Sequence, residues 1–182
     1  VKKEADVIEE ILRIYGYNNV EISNHVNSTL TWSEKPDKEK MVNIVSDMLA
    51  AKGFAEMMCN SLNPASFYQQ NDDFDKEHLV LLANPLSSDL NAMRQSLLFG
   101  GLSSVAWNIN RQNSDLKLFE FGHCYFYKKQ GEGAPVPDNY HELEHLDIFL
   151  TGNTGRMSWN NKTGPTDFYH IKSYVEMVFE RL

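Results

Sequence analysis

Apolar residues along the chain recur at two periods, and the change from one to the other marks out its elements. From Asp6 to Tyr15, Ile8, Ile11, Leu12 and Tyr15 stand at i, i+3, i+4 and i+7, so they share one helix face, and Gly16 follows as a stop. A second stripe, Met41, Ile44, Val45, Met48 and Leu49, starts after Asp37, a good capping residue, and closes before Gly53. Leu97, Leu98, Leu102, Val105 and Ile109 predict a helix over 96–111. Phe168, Ile171, Val175, Val178, Phe179 and Leu182 predict another over 167–182, with those side chains buried.

Between the helices lie shorter apolar runs of strand type: 54–62 (FAEMMCNSL), 79–83 (LVLLA), the aromatic-rich 116–127 (LKLFEFGHCYFY) and 146–151 (LDIFLT). Asn63-Pro64 and Asn71-Asp72-Asp73 read as loops with room for a short helix between them, and a Gly/Pro loop covers 129–140. Strands and helices alternate without glycine-rich βαβ turns, which predicts an α+β domain with a mostly antiparallel sheet. From Val20 to Asp37 the apolar pattern fades into Asn, Ser and Thr and ends at Lys35-Pro36-Asp37, so the domain boundary is expected there.

The 182 residues suffice for one medium domain plus a small extra piece. A hydrophobic share of 42% against 23% charged residues fits a folded globular chain rather than a disordered one. No apolar run has the length of a membrane-spanning helix. The start, Val1-Lys2-Lys3-Glu4, has no signal-peptide core and no Met, and reads as the cut edge of a longer chain. Net charge is −8 with Lys and Arg scattered, which argues against a surface that grips nucleic acid through its phosphates. Cys59 and Cys124 fall in no paired motif, and free thiols are the simpler reading.

Candidate chemistry is sparse. His141-Glu142-Leu143-Glu144-His145 fits the H-E-x-x-H zinc-protease pattern, in which two His on one helix face bind zinc and the Glu activates water. Its flanks argue for a polar loop instead, because Pro135, Pro137, Asp138 and Asn139 precede it and a strand starts at Leu146. A zinc-dependent hydrolase using His141, Glu142 and His145 is therefore the alternative reading. Asp6, Glu9 and Glu10 set three carboxylates on adjoining turns of the first helix, either as Mg²⁺ ligands or as acids that suit a helix N-terminus. Arg94 could meet a phosphate or carboxylate, or pair within the fold. Trp32, Trp107 and Trp159 read as packing residues. Bases could stack on Phe119, Phe121 or Tyr125, but without a basic groove such binding would be weak. Walker, G-x-G-x-x-G and G-x-S-x-G motifs are absent.

An ordered set of motifs resembles the β subunit of bacterial phenylalanyl-tRNA synthetases. Asp6-Val-Ile-Glu9-Glu10-Ile-Leu-Arg13-Ile-Tyr15-Gly16-Tyr17 is similar to the family's D-x-x-E-E-x-x-R-x-Y-G-Y signature. Asn84-Pro-Leu-Ser87 through Met93-Arg94-Gln-Ser96-Leu97-Leu98 to Gly101-Leu102 resembles its N-P-L-S…M-R-x-S-L-L…G-L block. Leu118-Phe-Glu120-Phe-Gly122 resembles its F-E-x-G strand, and Asp167-Phe-Tyr169-His-Ile-Lys172 its D-F-x-x-x-K helix start.

The resemblance implies a class II aminoacyl-tRNA synthetase-like antiparallel sheet flanked by helices and truncated at the C-terminus. It implies residues 1–20 as the remnant of a preceding small domain, 21–37 as linker and 38–182 as an incomplete, non-catalytic synthetase-like domain. Editing and tRNA-binding domains would lie upstream. Active class II enzymes carry G-x-x-F-R-x-E, whose Arg binds the α-phosphate of ATP. Laid on Gly122, that pattern puts Tyr125 at the aromatic position, Phe126 at the Arg and Lys128 at the Glu, so productive ATP binding is not expected. The implied role is structural, against a catalytic α subunit in an α₂β₂ enzyme that joins phenylalanine to tRNA(Phe) in the cytoplasm, with a helix near 38–52 at the subunit contact. The resemblance also marks Asp6, Glu9 and Glu10 as Mg²⁺ ligands shared with the α subunit. A further Asp of that set would precede Val1, so binding by this chain alone is expected to be millimolar or poorer, roughly 4 kcal/mol or less.

Overall fold

The computed structural model describes residues 3–21, 28, 36–130, 135–155, 158–160 and 163–182. It divides into two compact units, residues 1–35 and 36–182. The expected linker at 21–37, and Trp32 within it, lie almost wholly outside the described residues.

The first unit is built on α1, Glu4–Tyr15. The Lys3 backbone N–H donates to Asp6 at 3.3 Å, and Gly16 at φ +91° ends the helix, a conformation that side chains with a Cβ rarely adopt. The predicted stripe forms, but none of its described residues is buried.

In the second unit, α2 (Lys38–Ala51) starts where Asp37 accepts a hydrogen bond from the Lys40 backbone N–H at 3.2 Å, and it buries Val45 and Leu49. After Gly53 (φ +87°) come β1 (Ala55–Glu56), β2 (Leu62–Asn63), α3 (Ser66–Gln69), β3 (Ala92–Met93), α4 (Leu98–Ile109), β4 (Lys117–Tyr127), β5 (Tyr140–Leu150) and α5 (Phe168–Arg181). The main sheet has the order β1-β4-β5, and β2 with β3 forms a small second sheet. β4 and β5 pair antiparallel along eleven residues each, from Lys117↔Leu150 to Tyr127↔Tyr140. β1 runs parallel to β4 over two residue pairs, so the main sheet is mixed but mostly antiparallel, as anticipated.

Each face of the main sheet carries its own packing. Phe119, on one face of β4, joins Val45 and Leu49 of α2, Phe54, and Val178 of α5 in the largest core cluster. On the other face Val105 of α4 packs with Leu116 and Phe149. Gly101 lets α4 lie directly on the Phe149 ring, because an added Cβ there would collide with that ring.

Three strand expectations change. Within 54–62 only Ala55–Glu56 and Leu62 are strand: the β1 ladder ends with Met57 N–H donating to Phe119 O at 2.9 Å, and beyond it Cys59 N–H turns to the Glu120 carboxylate at 3.2 Å. Residues 79–83 reduce to an isolated bridge, Leu81↔Ala92. Conversely, 141–145 is strand rather than loop, held by the ladder to β4. The last helix forms, yet of its predicted core residues only Val178 is buried; Phe168 is 70% exposed and Phe179 74%.

Candidate functional site

Directly opposite residues on paired strands project to the same face, and alternate residues along a strand share it. Glu120, Gly122, Cys124 and Phe126 of β4 therefore lie on one face with Asp147, His145, Leu143 and His141 of β5, their register partners. This is the face that the sequence assigns to a nucleotide pocket.

Two motifs read separately in the sequence meet there. Arg94, 5% exposed, reaches from the segment before α4 and donates through Nη1 to Glu120 Oε1 at 2.7 Å. Its Nε–H donates to the His123 carbonyl at 2.9 Å, and Nη1 also to the Cys59 carbonyl at 3.3 Å. The Arg94 backbone is fixed as well: its N–H donates to Ser61 O, and its carbonyl accepts from Tyr125 N–H at 2.8 Å. Gly122 makes the room, since a Cβ there would strike the guanidinium. Glu120 is 1% exposed, so the pair sits in a medium where an unpaired charge is costly.

Of the readings open for Arg94, the structure selects pairing within the fold. The guanidinium is committed to Glu120 and two carbonyls and does not present its charge to a phosphate. At the remaining signature positions, Phe126 is a half-buried ring on β4, and Lys128 follows the strand, exposed, its backbone N–H donating to Asn139 O at 2.7 Å. Cys124 is fully buried, and burial pushes its thiol up to about 11; Cys59 is raised by the same cause. Neither cysteine forms a disulfide. Asp147 is half-buried and its carboxyl is shifted upward, first by burial and then by the Glu120 charge, against the opposing pull of His145 and Arg94. The sequence reading missed Glu120 as the partner of Arg94. The available signal was Glu120 itself, a carboxylate inside an otherwise apolar strand run.

The zinc-hydrolase alternative is overturned. His141 and His145 lie on β5, paired with Phe126 and Gly122, and four residues along a strand separate them by about 13 Å. On a helix the same spacing is a single turn. Among the described residues no group of three His, Cys, Asp or Glu side chains gathers to hold a metal. That finding includes Asp6, Glu9 and Glu10. Glu9 and Glu10 stand 3.7 Å and 3.1 Å from Arg13 in exposed ion pairs. The three acids stand at i, i+3 and i+4 on one face of α1.

The reading of the Trp residues as packing groups fails for two of them. Trp159 is 97% exposed, and Trp107 lies on the surface of α4 with the Arg111 guanidinium 3.5 Å from its ring centre. Base stacking on the aromatic strand is blocked at Phe119, which is 1% exposed in the core. Away from the Arg94 face, α2, β5 and α5 border an open groove of about 560 Å³. Apolar Met41, Phe121, Ile148, Val175 and Phe179 line it, and Lys38 pairs with Glu144 at 3.0 Å on its margin.

Comparison with known proteins follows the same lines. Residues 22–182 match the family model described as the phenylalanyl tRNA synthetase beta chain CLM domain. The phenylalanine–tRNA ligase beta subunit of Bacteroides thetaiotaomicron is 48% identical over the whole chain, and that of Porphyromonas gingivalis 39%. The chain spans 22% of the length of each of these relatives. Among solved structures, a pyrrolysyl tRNA synthetase of Desulfitobacterium hafniense superposes with a TM-score of 0.51 at 11% identity, covering 97% of this chain and 51% of that one. An ATP phosphoribosyltransferase regulatory subunit/histidyl-tRNA synthetase of Bacillus halodurans gives 0.56 at 13%, covering 88% and 39%. The fold is that of class II aminoacyl-tRNA synthetases.

Proposed function

The chain belongs to the phenylalanyl-tRNA synthetase beta chain family, and from that premise we propose that it is a non-catalytic, class II-fold module of the β subunit of a phenylalanine–tRNA ligase. It acts through its surfaces. The whole enzyme, an α₂β₂ assembly, would form phenylalanyl-adenylate from ATP and pass the phenylalanine to tRNA(Phe). In this reading residues 1–20 end a preceding small domain, 21–37 link it, and 38–182 form the synthetase-like domain.

One observation carries the non-catalytic part. Arg94, the guanidinium on the face of the nucleotide signature, is neutralised inside the fold by Glu120, while the signature's own cation position holds Phe126. Stabilising a triphosphate needs fixed positive charge aimed at its oxygens. An aromatic ring and an internally paired Arg offer none. The apolar groove beside α2 and the exposed face of α5 are the kind of surface that a protein partner covers, and the α subunit is the partner that the family suggests. Met41 and Met48 of α2 suit such a contact because flexible thioether side chains adapt to an opposing surface.

Mg²⁺ belongs to the same reading. Asp6, Glu9 and Glu10 would serve as ligands only with further oxygen donors from outside this chain, since here Glu9 and Glu10 hold Arg13. Co-expression with a phenylalanyl-tRNA synthetase α subunit tests the reading. Co-elution in size-exclusion chromatography is the expected result for the full-length β chain. Aminoacylation by that enzyme should survive Phe126→Ala with unchanged kcat. A β chain that never associates with α, or a collapse of kcat in the Phe126 variant, would sink it.

A further inference from the structure

Glu120 has two carboxylate oxygens, and only one of them is served. Oε1 accepts from Arg94 Nη1 at 2.7 Å and from the Cys59 backbone N–H at 3.2 Å. Oε2 is equally buried and has no hydrogen-bond partner. A buried carboxylate oxygen without a donor is costly, so a donor of some kind is called for. The residue directly across the ladder is Asp147, on the neighbouring strand and the same face. Cβ atoms of such directly opposed residues lie about 5 Å apart, within reach of an Asp and a Glu side chain turned toward each other.

We propose that Asp147 stands protonated opposite Glu120 in the folded protein and donates its proton to Oε2, so that two carboxyl groups and one guanidinium form a neutral clamp joining β4, β5 and the segment before α4. Two ionised carboxylates this close would repel each other, and one shared proton removes the repulsion. The groups facing Asp147 fit this assignment. Arg94 is engaged on Oε1, and Cys124 of β4 is a thiol that burial pushes up to about 11, while Lys38 of α2 lies on the opposite face of the sheet, paired with Glu144. His145, two residues along β5, is exposed and competes for Asp147 only when it carries a proton. Burial and the Glu120 charge raise the proton affinity of Asp147 further. The inference concerns the fold and stands independently of any ligase role.

The linkage has a definite sign. An acid whose folded pKa is raised binds its proton more tightly folded than unfolded, so its contribution is complete at acid pH. That contribution is lost as pH rises from the ordinary carboxylate range through the raised value. Asp147→Asn replaces the shared proton with a permanent amide donor of nearly the same shape. Thermal unfolding of the full-length chain as wild type, D147N and D147A from pH 4.5 to 8 therefore tests the clamp. D147N should melt at or above wild type at pH 7.5, by a few degrees, with the gap closing toward pH 4.5, while D147A melts below D147N throughout. Infrared spectra of protein carrying ¹³C-carboxyl aspartate should show a protonated aspartic acid band in wild type that D147N lacks, and the wild-type spectrum decides the question even if a variant fails to fold. D147N falling as far as D147A at every pH, or no protonated band in the wild type, would overturn the proposal.

Discussion

At the scale of single residues, a buried carboxylate deprived of its cation is among the costliest defects a fold can carry. Arg94→Met strands the fully buried Glu120 and should destabilise the chain by about 3–5 kcal/mol, read from the midpoint of urea unfolding. Arg94→Met with Glu120→Leu should recover most of that loss, because the double variant removes both charges together. Full additivity of the two single losses would show that the pair is not one unit. The sequence displays both residues but not their pairing. Arg94 and Glu120 are 26 positions apart, and only the fold brings them to 2.7 Å. Asp147 was harder still to read, since its meaning depends on the β4–β5 register, which no local pattern contains. The Trp residues mislead for the opposite reason. Ring size favours burial on average, yet Trp159 lies where no described neighbour covers it.

At the scale of elements, what was legible follows how much each element depends on its own sequence. The helix over 38–51 carries its start at Asp37, its stripe at Val45 and Leu49 and its stop at Gly53 within one stretch, and it forms as read. β4 is equally plain, because five of its eleven residues are aromatic, a composition that favours strand. The polar half of β5 was not legible. Residues 140–145 are exposed on both faces, so no apolar alternation marks them, and only the ladder to β4 makes them a strand. That ladder is also what separates His141 from His145 and empties the zinc motif of its chemistry. The segment 54–62 differs in the other direction, being apolar enough for a strand while the Cys59 N–H is claimed by the Glu120 carboxylate just past the short β1 ladder. Close packing of α4 on β5 gives a test at this scale. Gly101→Ala forces a methyl group into the Phe149 ring and should cost about 1–3 kcal/mol in chemical denaturation. A neutral effect would mean that α4 does not lie as close to the sheet as drawn.

At the scale of the whole molecule, a class II fold carries its buried charge as an internal pair, Arg94 with Glu120. Net charge is −8, and the guanidinium on the pocket face is spent on Glu120. The apolar surface lies elsewhere, in the groove between α2, β5 and α5, which Phe179 lines, and at Phe168, exposed at the start of α5. Such a distribution suits a module held by protein contacts. The family was legible from the ordered motifs, and the structure adds why they are spaced so: Gly122 clears space for Arg94, and Gly101 clears space for Phe149. Isothermal titration of Mg²⁺-ATP into the chain is the most direct test of this account. It predicts no saturable heat at ATP concentrations up to about 1 mM, a limit equivalent to roughly 4 kcal/mol of binding. A saturable isotherm in the micromolar range, about 8 kcal/mol, would contradict it, because the signature's Arg position holds Phe126 and the Arg94 guanidinium is paired with Glu120.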